Sequence, residues 1–121
     1  MNDTKAPIVF YNDGKNVALG GFYNGNILVQ NVDENIDDKK TKVKCSTVHL
    51  TNEISPIVQM VISKSDMFVI CGNTLGTIYI FIINESNKSE WTLYKTIHDH
   101  QSEITSISIN ENLNIFISSS E

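Results

Sequence analysis

The sequence contains no arginine: all nine of its cationic side chains are lysines, against fourteen Asp and Glu residues. The guanidinium fork that binds guanine edges and phosphates with two parallel hydrogen bonds is therefore missing. A formal charge of −5 also argues against the basic surface that phosphate-binding proteins carry. We therefore expect no nucleic-acid partner.

Cysteine is scarce, and long apolar runs are absent. Cys45 and Cys71 form no CxxC pair and no zinc spacing, and they allow at most one disulfide. The longest apolar run, Ile78 to Ile83, is too short to cross a bilayer. The polar N-terminus, Met1 to Lys5, leads into no apolar signal segment. We expect a cytoplasmic protein with reduced thiols and no direct membrane insertion.

Short apolar runs separated by turn-forming residues make up most of the chain, and no segment keeps a helical period for three turns. The composition, 40% hydrophobic and 19% charged over 121 residues, is that of one small globular domain. The continuously apolar runs Met67–Cys71 and Ile78–Ile83 predict strands covered on both faces. Ten strands spaced by about ten residues indicate an all-β fold. They are predicted at Ile8–Tyr11, Val17–Gly21, Ile27–Asn31, Lys42–Val48, Ile57–Ile62, Phe68–Gly72, Thr77–Ile83, Thr92–Ile97, Ile104–Ile109 and Ile115–Ser118.

The chain repeats itself. Phe68–Ile80 repeats Val17–Val29 at an offset of 51 residues in both of its strands, and Ile104–Glu121 repeats Ile57–Thr74 at an offset of 47. Such a period, with four strands per unit, is the pattern of a β-propeller blade of about 40–50 residues. We therefore predict four-stranded antiparallel blades. Their ranges are 7–49 for the first, 57–98 for the second and 100–121 for the start of a third.

Two turns within this repeat depend on glycine. Gly25 and Gly76 occupy matching positions, where a tight turn needs a residue that accepts positive φ. About two and a half blades do not close a ring, since propellers have about 4–8 blades and each blade buries its apolar face against its neighbours. We therefore expect a fragment of a larger propeller, whose remaining blades are partners of this segment.

Residues from Thr96 onward resemble the WD-repeat pattern. His98-Asp99-His100 stands near the usual Gly-His position, Glu103–Ile109 matches the first strand, and Leu113–Ser120 matches the second. In the preceding blade, Leu75-Gly76-Thr77-Ile78-Tyr79-Ile80-Phe81 resembles the Asp-Gly-Thr-Ile-x-Val-Trp run, with Leu in place of the Asp and Phe in place of the Trp. The resemblance implies a WD-type β-propeller.

A narrower resemblance is to BEACH-domain proteins, the neurobeachin-like family. Leu19–Val29 is similar to the Gly-Gly-aromatic-aromatic-Asp-Asn stretch that opens their C-terminal WD propeller, and Tyr94–Ile109 is similar to their His-Asp-x-Glu-Ile-Thr blade entry. The resemblance covers residues 17–121. It implies a non-enzymatic protein-interaction scaffold in membrane trafficking, with other proteins as partners and a location peripheral to intracellular membranes.

His98-Asp99-His100 is the only close cluster of imidazoles and a carboxylate. On a strand its two histidines share a face, so the cluster could in principle hold zinc. The third histidine, His49, lies one predicted blade earlier. The WD resemblance implies instead that His100 is structural and hydrogen-bonds a serine of the next strand, Ser118 or Ser120. We predict no metal and no cofactor.

No catalytic motif stands out. Gly20–Gly25 lacks the Lys-Ser/Thr of a phosphate loop, and no Gly-x-Ser-x-Gly elbow occurs. The aromatic residues Phe22, Tyr23 and Trp91 are expected to pack within blades or to lie at their rim. We predict that the protein is not an enzyme. Two alternatives stay open: a small independent all-β sandwich or barrel that binds a ligand, and a hydrolase propeller without a supporting set of residues.

Overall fold

A computed structural model describes residues 6–32, 43–48, 54–110 and 115–120. Within these ranges the chain forms β-strands and no helix, which confirms the all-β prediction. No helix in this part of the chain is therefore long and apolar enough to cross a membrane. The strands are β1 (Ile8–Tyr11), β2 (Asn16–Leu19), β3 (Ile27–Val32), β4 (Val43–Val48), β5 (Ile57–Ile62), β6 (Phe68–Asn73), β7 (Ile78–Ile83), β8 (Trp91–Ile97), β9 (Ile104–Asn110) and β10 (Ile115–Ser120).

The strands form antiparallel sheets in chain order. Sheet 1 contains β1 to β4, sheet 2 contains β5 to β8, and sheet 3 contains β9 and β10. Within each sheet every strand pairs with the next one along the chain, so each four-stranded sheet is a meander. The three sheets fall within the ranges 7–49, 57–98 and 100–121 that the repeat predicted.

Sheets 1 and 2 pack face to face through one apolar core. Alternate side chains of each strand point to the same face, so one face of each sheet supplies the core. Trp91, at the start of β8, packs against the margin of this core together with Met60 and Ile62 of β5. The buried members are Tyr11, Ala18, Ile27 and Val29 from sheet 1, and Ile57, Val69, Cys71, Tyr79, Phe81 and Ile83 from sheet 2.

Sheet 2 uses its second face to pack on sheet 3. Ile70 and Ile78 are buried there against Ile104 of β9. The prediction that Ile78–Ile83 is covered on both faces agrees with this packing. The same prediction was wrong for the start of the other run, because Met67, directly before β6, is 53% exposed and Phe68, its first residue, is 39% exposed.

The strands β5 and β9 carry a bulge at the same position. The register shifts in the pairing of each strand, which leaves Val58 and Thr105 as the extra residues, 47 residues apart. An extra residue reverses the side-chain alternation beyond it. Ile57 before the bulge and Met60 after it can therefore both pack on sheet 1, and the same arrangement recurs in β9 against sheet 2.

Strand pairing corrects the offset that the sequence predicted between sheets 1 and 2. Ala18 pairs with Val29, and Ile70 pairs with Ile80. With β3 and β7 aligned at 51 residues, β2 and β6 are therefore aligned at 52. The predicted offset of 51 was wrong for β2, because the paired residues Ala18 and Val29 are one residue further apart in the chain than the paired residues Ile70 and Ile80. A slip of one residue places every side chain of a strand on the other face.

Candidate functional site

The contact between neighbouring sheets occurs twice with the same geometry. Gly20, directly after β2, lies against Ile57, and Gly72 in β6 lies against Ile104. A Cβ atom at these glycines would stand 3.2 Å from Ile57 Cγ2 and 2.6 Å from Ile104 Cβ. Sheets 1 and 2 thus each bring a glycine, in or directly after the second strand, against the first residue of the next sheet. At Gly72 only glycine allows this approach without a shift of Ile104, whereas at Gly20 a Cβ atom would be tight but would require a smaller shift.

The outer face of sheet 1 carries large apolar side chains that are exposed. Ile8 and Phe10 are 58% and 66% exposed. At the offset of 52 residues their counterparts in sheet 2 are Met60 and Ile62, which pack on the core shared with sheet 1. The same face of the repeat is therefore covered in sheet 2 and uncovered in sheet 1. We refer to Ile8, Phe10 and their cross-strand neighbours Leu19 and Leu28 as the open face.

A polar cluster lies at one edge of the contact between sheets 1 and 2. The Tyr11 hydroxyl donates to the carbonyl oxygen of Lys88 at 2.6 Å and accepts from Trp91 Nε1 at 3.2 Å. Asn16 Nδ2 donates to Ser89 Oγ at 3.1 Å. Burial disfavours the phenolate and raises the pKa of Tyr11 to about 12. The cluster attaches the first hairpin of sheet 1 to the last turn of sheet 2.

Sequence reasoning missed most of this cluster. It assigned Trp91 to packing or to the rim, and the indole does pack against the core. It did not single out Tyr11 or Asn16, although a polar Asn beside an apolar strand is a signal of a buried hydrogen bond. Their partners lie more than 70 residues away in the chain, and no local pattern indicates them.

His100 makes the contact that the WD resemblance implies. Its Nε2 atom lies 2.9 Å from Ser118 Oγ, and both residues are half-buried. Ser120, the other serine considered, stands opposite Ile104 in the β9–β10 pair. A separation of 2.9 Å also suits a nucleophile and its base. Ser118, however, lies within a strand opposite Ile107, where its hydroxyl anchors the loop before β9 to β10.

The other residues of the histidine cluster do not join this contact. His98 Nδ1 lies 3.3 Å from Thr77 Oγ1, directly before β7, so the two imidazoles contact hydroxyls of different segments. His98 and Asp99 are exposed. Within the described ranges, no three His, Cys, Asp or Glu side chains are close enough to hold a metal ion together. His49 lies outside the described residues.

The two glycines predicted at turns both have positive φ, +84° at Gly25 and +91° at Gly76. The turn at Gly76 is also packed closely. A Cβ atom there would stand 2.7 Å from the carbonyl oxygens of His100 and Ser102. The β6–β7 turn therefore closes directly against the loop that leads into sheet 3, and both the conformation and the contact require glycine.

Cys71 is a free thiol within the core between sheets 1 and 2. Burial raises the pKa of this thiol well above its usual range. The thiolate is the nucleophilic form of cysteine. Cys71 is therefore a packing residue in this structure, and it is poorly suited to attack a substrate.

One end of the sheets carries exposed apolar side chains on its turns. Tyr23 in the β2–β3 turn is 89% exposed, Leu75 in the β6–β7 turn is 53% exposed, and Ile54 before β5 is 79% exposed. The amide of Thr74 donates to the carbonyl of Pro56, which joins the β6–β7 turn to the segment before β5. We refer to Phe22, Tyr23, Ile54 and Leu75 as the apolar end.

The opposite end is more polar. Its turns at 12–15 and 84–90 contain only polar residues and glycine. The Asn12 amide there donates to Asp66 Oδ2 at 3.0 Å, which joins the first turns of sheets 1 and 2. Met67 is an exposed apolar residue at this end. The contrast between the ends makes the apolar end the better candidate for a contact with another protein.

Comparisons of the chain with models of protein families, with curated proteins and with solved structures found no match. The repeated contact between sheets, the open face and the apolar end are therefore the observations from which a function can be inferred.

Proposed function

We propose that the chain is a segment of a WD-type β-propeller and acts as a non-enzymatic protein-interaction scaffold. The repeated contact between sheets carries this proposal. Two successive contacts share a glycine against an isoleucine, a bulge in the first strand, and apolar side chains beyond the bulge. Repeat proteins bury their apolar faces against neighbouring repeats in this way.

In this proposal the first partner is another sheet of the same repeat, and the open face supports it. Its residues Ile8 and Phe10 correspond to Met60 and Ile62, and these pack against the face of sheet 1 that carries Ile27 and Val29. A sheet that presents a similar apolar face would cover the open face in the same manner. In a propeller, that sheet is the neighbouring blade.

The apolar end is the surface that we assign to other proteins. Turns on a rigid sheet scaffold often carry binding residues. Tyr23 and Leu75 are exposed on turns whose backbone is held by hydrogen bonds, from Gly25 to Phe22 and from Thr77 to the side chain of Asn73. Tyrosine and other aromatic residues are enriched at protein interfaces.

The BEACH resemblance narrows the proposal to a cytoplasmic scaffold in membrane trafficking. It rests on Leu19–Val29, which includes Phe22 and Tyr23 of the apolar end, and on Tyr94–Ile109. In this proposal the segment needs no cofactor, and it reaches intracellular membranes through the rest of the protein rather than by insertion.

The open face is tested by self-association. We expect the chain to form oligomers in light scattering and to bind a dye for apolar surfaces, because Ile8 and Phe10 are uncovered. Phe10→Glu should abolish both effects. Tyr94→Glu is the matched control, because Tyr94 is equally exposed, at 65%, but lies on β8. A monomeric chain that binds no dye and unfolds cooperatively, unchanged by Phe10→Glu, would support the independent all-β domain instead.

The apolar end is tested by a photo-reactive residue in cells that express the protein. Placed at Tyr23, it should form a discrete adduct with another protein, and the adduct should disappear when Leu75→Ser is added. Asp13 is the control position, since it is exposed in a turn at the opposite end. Equal adducts from both positions would contradict the assignment of this surface.

A further inference from the structure

The β2–β3 turn contains Asn24-Gly25, the only Asn-Gly pair in the sequence. Asn24 is exposed, whereas Gly25 is buried with φ +84°. An Asn followed by glycine has the least hindered route to deamidation, because no Cβ shields the amide nitrogen of the next residue. The matching turn of sheet 2 reads Leu75-Gly76 and has no side-chain amide that could react.

Two hydrogen bonds restrain the groups that would react. The Gly25 amide donates to the carbonyl of Phe22 at 3.0 Å. The Asn24 side-chain oxygen accepts from the Asn26 amide at 3.0 Å. The nitrogen that must attack is thus engaged in one hydrogen bond, and the side-chain carbonyl that it must reach is engaged in another. The turn has to open before the two atoms can meet.

We propose that Asn24 is a site of spontaneous deamidation whose rate is set by opening of the β2–β3 turn. The Gly25 nitrogen attacks Asn24 Cγ and forms an N–C bond. The Cγ–Nδ2 bond breaks, and ammonia leaves with the proton lost from the Gly25 nitrogen. Solvent water then adds to either carbonyl of the resulting succinimide and opens the ring, which gives aspartate or isoaspartate at position 24 without any change of oxidation state.

The products have different consequences for the turn. Aspartate keeps the side-chain oxygen that accepts from the Asn26 amide and places a negative charge beside Phe22 and Tyr23 of the apolar end. Isoaspartate lengthens the backbone by one methylene and cannot keep the positive φ turn around Gly25 in its present register. Deamidation therefore adds a negative charge to the apolar end in both products, and isoaspartate also changes the shape of that end.

The test is peptide mapping by mass spectrometry of the intact chain after incubation at neutral pH, folded and in urea. In urea, Asn24 should deamidate faster than Asn84, which is also exposed but precedes Glu85. In the folded chain, Asn24 should react about tenfold or more slowly than in urea, because the hydrogen bonds of the turn must break first. Equal folded and unfolded rates at Asn24 would overturn the proposal, as would an unfolded Asn24 no faster than Asn84.

Hydrogen exchange supplies an independent readout of the same opening. The slowing of Gly25 amide exchange in the folded chain should equal, within about threefold, the slowing of deamidation at Asn24. A fully protected Gly25 amide beside rapid deamidation at Asn24 would show that the reaction does not need the turn to open.

The variant Leu75→Asn transfers the reactive pair to the matching turn. Leu75 is 53% exposed, so the substitution leaves the core unchanged. In urea the new site should react like Asn24. In the folded chain it should react no faster than Asn24, because Gly76 is packed against the carbonyls of His100 and Ser102. A folded rate at this site as high as its rate in urea would contradict control by turn structure.

Discussion

Sheets 1 and 2 are built alike and packed differently. Both are four-stranded antiparallel meanders, but among the described residues sheet 2 has a neighbouring sheet on each face and sheet 1 has one on a single face. Their third strands reflect this difference. Strand β7 reads IYIFII, whereas β3 reads ILVQNV and becomes polar in its second half. The composition of a strand in this chain follows the number of its faces that are covered.

The largest expected difference in stability is between substitutions of Phe81 in sheet 2 and of its counterpart Gln30 in sheet 1. Phe81 is 1% exposed, and its ring centroid lies 5.7 Å from that of Trp91. Phe81→Ala should lower the free energy of unfolding by about 3–5 kcal/mol, because it leaves a cavity between two sheets. Gln30→Ala, on the open side, should cost less than about 1 kcal/mol. Urea unfolding followed by circular dichroism measures both, and equal losses would show that the two sheets do not differ in packing.

The two glycine contacts offer a closer comparison. Gly72→Ala should cost about 1–3 kcal/mol, because its Cβ would stand 2.6 Å from Ile104 and the packed side chain must move. Gly20→Ala should cost less, since its nearest contacts are 3.0 Å to Pro7 and 3.2 Å to Ile57. Trimming the partner with Ile104→Val should recover part of the loss in Gly72→Ala. A larger loss for Gly20→Ala than for Gly72→Ala would be inconsistent with the observed packing.

Many of these features could be predicted from sequence, because the period of two residues and the turn glycines are local signals. The strands and the division into three sheets follow from them. The alignment of β2 with β6 could not be predicted in this way. One additional residue between the paired positions of β2 and β3 leaves the apolar pattern nearly unchanged but reverses the two faces of β2. The bonds from Tyr11 to Lys88 and from Asn16 to Ser89 depend on the packing of two sheets. No short-range pattern specifies that packing.

Substitutions of His100 and Ser118 test whether their hydrogen bond adds to the stability that sheet 3 gains from apolar packing. In a double-mutant cycle, His100→Ala and Ser118→Ala should show a coupling of about 0.5–1.5 kcal/mol, because each removes the same bond of 2.9 Å. The measurement is urea unfolding of both single variants and the double variant. Adding a zinc chelator should change none of these values. A chelator effect that His100→Ala removes would favour the metal site instead.

The last comparison is confined to alkaline pH and concerns Tyr11, which attaches sheet 1 to sheet 2. Its pKa is raised from 10 to about 12 in the folded state, so the folded state favours the neutral phenol. The resulting stability is complete below pH 10 and is lost as the pH rises towards 12. Tyr11→Phe should remove this alkaline loss from the pH dependence of urea unfolding. Tyr23→Phe, which alters an exposed hydroxyl, should leave it unchanged, and an unaltered alkaline loss in Tyr11→Phe would refute the assignment.

The central claim is that sheet 2 is covered on both faces while the matching face of sheet 1 is open. Three isoleucines report on it directly: Ile57 and Ile104 are fully buried at the two contacts, and Ile8 is 58% exposed on the open face. The measurement is the broadening of their methyl NMR signals by a soluble paramagnetic probe, in dilute solution where the chain is monomeric. We expect strong broadening at Ile8 and protection at Ile57 and Ile104. Protection of Ile8 equal to that of Ile57, or broadening of Ile104 equal to that of Ile8, would contradict it.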